Sequence, residues 1–249
     1  MYLPLLLNQA RRGVFMLKIA HRSGPSVYPE QTIRSAKFAQ KNGADMVEID
    51  VRFTKDKQIA ITHDKNVNRV FGVDREVSDM TAEEFLALRH KKNREYPAHL
   101  LTDYLACGIA PLLLHIKEPE VVPALLACLD EHDYLDKVVF GVQSLESVSI
   151  IRKYREGLKI LAFAPNGTLA DFAKSDVDYI RLWEKWLTEE NMELIRSCGK
   201  ELWVMSGNYD GFDAGEPPEE GLSFVLSQEI DAILINDMEY LHTMMGQEA

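Results

Sequence analysis

The sequence predicts a (β/α)8 barrel. Eight short β-rich runs alternate with helical patterns along 249 residues, the length of one such barrel. Several runs are almost unbroken apolar stretches, as in parallel strands buried on both faces. Titratable residues gather at the C-terminal ends of the runs, where barrels of this kind carry their chemistry. A doubly wound sheet shares the alternation and stands as the competing architecture; eight successive units favour closure.

The expected strands are Phe15–Ala20, Met46–Val51, Leu112–Ile116, Val138–Val142, Lys159–Phe163, Tyr179–Leu182, Leu202–Met205 and Ala232–Ile235. Among the helices, Ile33–Asn42 is closed by Gly43, a left-handed cap residue. Val121–Asp130 begins just after Pro119. Glu189–Ser197 is capped by Thr188, carries acids in its first turn, and ends at Gly199.

The connection between the second and third strands breaks this rhythm. It runs for about 60 residues and reads as an excursion inserted over about residues 54–100, between the second strand and its helix. It holds a short alternating strand, Gln58–Thr62, and a capping box from Thr81 to Glu84 that opens a helix through Leu88. Long loops on this face of a barrel shape substrate pockets. No repeat or linker divides the chain, so residues 1–249 read as a single domain.

Lys and Arg number 28 and Asp and Glu 39, a net charge of −11. An acidic chain argues against nucleic-acid and anionic-membrane partners, but not against a small anionic substrate. Cys107, Cys128 and Cys198 form no CxxC and are odd in number, so they read as reduced, mostly buried thiols. The apolar run in MYLPLLLNQARRG is too short for a membrane span or a secretory signal. A cytoplasmic protein is expected, with residues before about Val14 forming a peripheral segment.

The chemistry gathers at the strand tips. His21 and Arg22 follow the first strand; Glu48 and Asp50 close the second, two apart and so on one side of it. His63-Asp64 follows the excursion strand, and His115 and Lys117 end the third barrel strand. Titratable groups beside a core are costly unless paired or used. Two carboxylates with two imidazoles, an Arg and a Lys suit a divalent-metal site that cleaves a phosphodiester. A cation neutralises the non-bridging oxygens, the imidazoles carry protons to and from the reacting oxygens, and Arg22 and Lys117 attract the phosphate. Which imidazole is acid and which base is not decided by sequence. Glu30 is placed to pair with Arg22, and Asp64 to organise its loop. His90, His99, His132 and His242 are assigned to surface or helix positions without a role.

The segments AHRSGPSVYPEQT, GADMVEIDVRFTKDKQIAITHD, VSDMTAEEFLAL and LLLHIK occur in this order. Together they resemble the glycerophosphodiester phosphodiesterase family, and the likeness runs on more weakly to about Glu239. The resemblance implies a (β/α)8 barrel with one divalent cation (Mg, Ca or Mn) and hydrolysis of glycerophosphodiesters to glycerol 3-phosphate and an alcohol. It implies Glu48, Asp50 and the position of His115 as metal ligands, His21 and His63 as acid and base, and Arg22 and Lys117 as phosphate contacts. It also allows attack by the substrate's own 2-hydroxyl through a cyclic phosphate. A phospholipase D-like lyase that releases the cyclic phosphate, and a weakly active or non-catalytic relative, are the alternatives.

Five positions depart from the family pattern. Ser23 replaces a Gly, Gln31 an Asn, Met205 an aromatic in the Met205–Asn208 stretch, and Asn236 an Asp. With Met205 in place of an aromatic, Trp183 is the candidate to wall the substrate pocket; packing between helices and barrel is the competing role. His115 stands where the family has a Glu. A neutral imidazole with two carboxylates suits Mn or Zn better than Mg or Ca. Glu118 is the alternative third ligand, although its parity in the strand is wrong.

Overall fold

The structure, a computed structural model, describes residues 16–209 and 211–246. Eight parallel strands close into a barrel: β1 (Leu17–Ala20), β2 (Met46–Phe53) and, after the antiparallel β3 (Ile59–Ile61), β4 (Leu112–Ile116), β5 (Val138–Val142), β6 (Lys159–Ala162), β7 (Tyr179–Trp183), β8 (Glu201–Met205) and, beyond the hairpin β9 (Gly207–Tyr209) and β10 (Phe212–Ala214), β11 (Ala232–Ile235). Closure comes from β1, which pairs in parallel with both β11 and β2.

The two-residue side-chain period sorts each strand into two faces. On β2, Val47, Ile49 and Val51 join the large apolar layer between barrel and helices. Met46 points inward and packs with Leu17, Ile19, Leu113, Val139, Leu161 and Leu234 in a separate core inside the barrel. Glu48 and Asp50 share the parity of Met46, and so rise from the inner core toward the C-terminal rim.

The excursion carries its own small core of Val67, Phe71, Val77, Met80 and Phe85. Its strand β3 continues the sheet by pairing antiparallel with β2, Val51 opposite Ile61. The Thr81–Glu84 capping box is present. Its helix spans Ala82–Leu86 rather than reaching Leu88; Leu88 N bonds the Phe85 carbonyl, three residues back, at 3.0 Å, which tightens the chain out of the α-helix.

Other bounds shift by a residue or two. The first long helix spans Ile33–Lys41, and Thr32 caps it by accepting from Ser35 N. The helix after β4 spans Val122–Glu131, and Glu189–Ser197 is as expected, with Thr188 accepting from Asn191 N. Phe15 and the segment before Val14 lie outside the described residues. Two expectations need correction. His90 is buried, not at the surface, with its ring 4.9 Å from that of Phe71; the excursion's small core has room for a neutral imidazole. Cys107 is exposed and the other two thiols half-buried, since Cys107 falls just past the helix Leu101–Ala106. No helix among the described residues is long and apolar enough to cross a membrane.

Candidate active site

The turn after β1 sets the first imidazole. Arg22 and Ser23 both adopt left-handed backbone, at φ 46° and 70°, a conformation that side-chain-bearing residues resist and that recurs at functional sites. Two contacts hold it. Arg22 N donates to Glu48 Oε2 at 2.7 Å, and Ser23 Oγ meets the buried Tyr104 hydroxyl at 2.9 Å. The family glycine replaced by Ser23 is thus explained by φ.

His21 is buried, with Nδ1 2.8 Å from Asn236 Oδ1. Asn236 Nδ2 donates to Glu216 Oε1 at 3.0 Å, which fixes the amide orientation. Oδ1 therefore accepts from His21 Nδ1–H and leaves Nε2 with its lone pair. Burial first, then Arg22, lower the His21 pKa to about 3, against Asp50 and Asn236. This imidazole is neutral.

His63 sits differently. Its side chain is 33% exposed and its Nδ1 lies 2.6 Å from Asp64 Oδ1. Asp64 in turn pairs with Arg69, whose guanidinium also clasps Glu30. Asp64 does organise the loop, and it also orients the imidazole. Burial lowers the His63 pKa; Asp50 and Asp64 oppose it. Glu30 reaches Arg22 as well, at 3.6 Å, so one carboxylate ties the turn after β1 to the excursion.

Glu48, Asp50 and His115 are all buried, with one potential ligand atom from each within 4.8 Å of the others, and the charge of Asp50 acts on both His21 and His63. His115 Nδ1 is 3.0 Å from Asp50 Oδ1 and 3.7 Å from Glu48 Oε1. Both of these oxygens are buried without a hydrogen bond of acceptable geometry, although Lys117 Nζ stands 2.8 Å from Asp50 Oδ1. Buried acceptors of this kind call for a cation, and the donor set fits one. Glu48 titrates high because of burial and then Asp50. Asp50 titrates low because Lys117 and His115 outweigh its burial. Asp50 Oδ2 accepts from Gln31 Nε2 at 2.6 Å, the work done by the residue that departs from the family Asn.

His115 is held on every side. Lys117 Nζ donates to Nδ1 at 3.0 Å, and the Gln143 amide meets Nε2 at 3.0 Å. The ring stacks on Phe163 with centroids 3.9 Å apart and planes 6° from parallel. Gly141 makes this stack fit, since a Cβ there would strike the Phe163 ring. Glu118 is turned away and pairs with Arg52, so it takes no part in the cluster. Trp183 packs against the inner core, not against the helices.

A cavity of about 480 Å³ opens beside Arg22 and Asn236, walled by Arg69, Lys91 and Tyr96 of the excursion.

This geometry has relatives. A family model, the glycerophosphoryl diester phosphodiesterase family, matches residues 21–158, more than half of the chain. The chain belongs to that family. The glycerophosphodiester phosphodiesterase of Bacillus subtilis is 26% identical over 216 residues, covering 74% of each chain. Human lysophospholipase D GDPD1 is 40% identical over 78 residues, 31% of this chain and 25% of that protein; the match thus spans only a quarter of that relative. An Oleispira antarctica phosphodiesterase solved with the product sn-glycerol-3-phosphate superposes with a TM-score of 0.79 at 17% identity, covering 95% of this chain and 99% of that one. Glycerophosphodiester phosphodiesterases are phosphoric diester hydrolases.

Sequence reading passed over Asn236 as a site residue, Gln143 and Arg181. Each has the inward parity of its strand or the strand's extension. The two-residue period is the sequence signal that marks them.

Proposed function

We propose that this chain hydrolyses small glycerophosphodiesters to glycerol 3-phosphate and an alcohol, with His21 and His63 as the proton-transfer pair. The carrying observation is the contrast between two imidazoles that both feel the charge of Asp50, a member of one buried carboxylate–imidazole cluster. His21 gives its Nδ1 proton to a neutral amide and is deeply buried, which keeps it neutral with Nε2 free to accept a proton. His63 has a carboxylate on Nδ1 and a partly solvated ring, which oppose the lowering of its pKa by burial and suit it, of the two, to carry the proton to the leaving alkoxide. Each transfer contributes roughly 10²–10⁴ in rate.

Glu48, Asp50 and His115 are the residues that would hold a divalent cation, which when bound neutralises a non-bridging phosphoryl oxygen. The imidazole favours Mn or Zn over Mg or Ca in that set. Arg22 offers the phosphate a planar fork and Lys117 a point charge; Lys117 exchanges its contact with Asp50 for the incoming anion. Trp183 forms an apolar wall for the substrate. The complex of the Oleispira antarctica protein with sn-glycerol-3-phosphate supports the product assignment. Residues 1–249 act as one catalytic unit. Three free thiols fit a reducing, cytoplasmic setting.

Turnover of glycerophosphocholine and glycerophosphoethanolamine with Mg, Ca, Mn and Zn in turn tests the reading. Turnover of at least one diester, highest with Mn or Zn, is expected. Failure of both diesters with all four metals would refute it.

A further inference from the structure

Arg181 is a charged residue buried in the wall of the barrel, 4% exposed. It lies on β7 with the parity of Trp183 and Tyr179, both part of the interior core. Its guanidinium lies 4.1 Å from the Trp183 ring centroid and 5.0 Å from that of Phe163, and Phe163 stacks on His115. A continuous π-stack therefore joins Arg181 to the candidate ligand His115. Contact with two rings fixes the guanidinium by cation–π attraction, but rings satisfy no N–H in the plane of the group. Nε and Nη1 are buried without a hydrogen-bond partner among the described residues.

A buried cation with unmet donors is expensive unless something accepts from it. The Phe163 and Trp183 rings that flank it cannot do so. Glu48 acts on Arg181 through its field and His115 feels the charge of Arg181, so the guanidinium acts on the centre of the site. Burial lowers its pKa to about 9, which leaves it charged at neutral pH.

We propose that Arg181 is a phosphate-binding residue of this site, a positive charge built into the barrel wall that draws in the anionic substrate and weakens the hold of Glu48, Asp50 and His115 on a divalent cation. The inference rests on the reading of this rim as a phosphodiester site. Both consequences follow from one fact. A fixed positive charge in a medium of low dielectric favours anions and disfavours cations at short range.

Titration of inorganic phosphate in EDTA, and of Mn²⁺ followed by its electron paramagnetic resonance, on the wild type, Arg181→Met and Arg181→Lys tests this without any need for turnover. Arg181→Met should weaken phosphate binding and tighten Mn²⁺ binding, each by about tenfold. Arg181→Lys, which keeps the charge, should stay near the wild type in both. These opposite shifts separate a charge role from damage to the fold, which would weaken both. Unchanged phosphate affinity in Arg181→Met, or loss of both ligands together, would overturn the proposal. A wild type that turns over no glycerophosphodiester yet shows the opposite shifts would refute the proposed function and leave this assignment standing.

Discussion

Asn236 Oδ1 accepts from His21 Nδ1 at 2.8 Å, and Glu216 locks the amide in the orientation that makes it an acceptor. The partner of the deepest imidazole in the site is thus neutral, whereas His63 is held by a carboxylate. Asn236→Asp would place a negative charge beside His21, favour its imidazolium and raise its pKa. The acid limb of the kcat/KM–pH profile should therefore move to higher pH. Asn236→Ala, which frees the ring, should lower kcat by about tenfold or more with a smaller change in KM. Steady-state kinetics across pH on the three proteins checks both outcomes.

His115 meets Asp50 Oδ1 at 3.0 Å, and this contact makes metal preference a property of one side chain. His115→Glu should shift the best-binding cation from Mn or Zn toward Mg or Ca. His115→Ala should weaken Mn²⁺ binding by about tenfold or more. Isothermal titration with each ion reads the order of affinities directly.

Gly141 leaves the space that Phe163 fills on its way to His115. Gly141→Ala should push Phe163 off its stack and destabilise the fold by about 1–3 kcal/mol. Thermal unfolding would record the loss. In a Phe163→Ala background the same Gly141→Ala substitution should cost less than it does in the wild type, because the ring the new methyl meets is gone.

Asp178 gathers Arg152, Lys159 and the Ile160 N–H at 2.8 to 3.0 Å. Burial alone would raise its pKa, but these partners outweigh it and the carboxyl titrates low. A carboxyl depressed in the folded state stabilises the protein above its unfolded pKa, and that contribution fades as pH falls through the folded value. Asp178→Asn should cost about 1.5–3 kcal/mol at neutral pH and little at pH below the folded pKa. Urea unfolding at the two extremes measures the difference.

The barrel was legible because parallel strands buried on both faces must be apolar nearly throughout, as in Val138–Val142 and Ala232–Ile235. The motif residues were legible because His21, Glu48, Asp50 and His115 sit where such strands end. The partners were not. Asn236 and His21 are joined only because β1 pairs with β11, a closure that joins the first and last strands of the barrel. Arg181 reads in sequence as a polar residue in a strand, and only the stack on Phe163 and Trp183 gives it a place. The short helix Ala82–Leu86 ends before Leu88 as Leu88 N turns to the Phe85 carbonyl, a local bond that no helical period records.

Phosphorus NMR of glycerophosphocholine incubated with the Mn²⁺-loaded protein tests the central claim most directly. The account predicts that the diester signal is replaced by that of glycerol 3-phosphate, and that His21→Ala and His63→Ala each slow this by about 10²–10⁴. A cyclic phosphate that accumulates and persists, or turnover that survives the loss of both imidazoles, would contradict it.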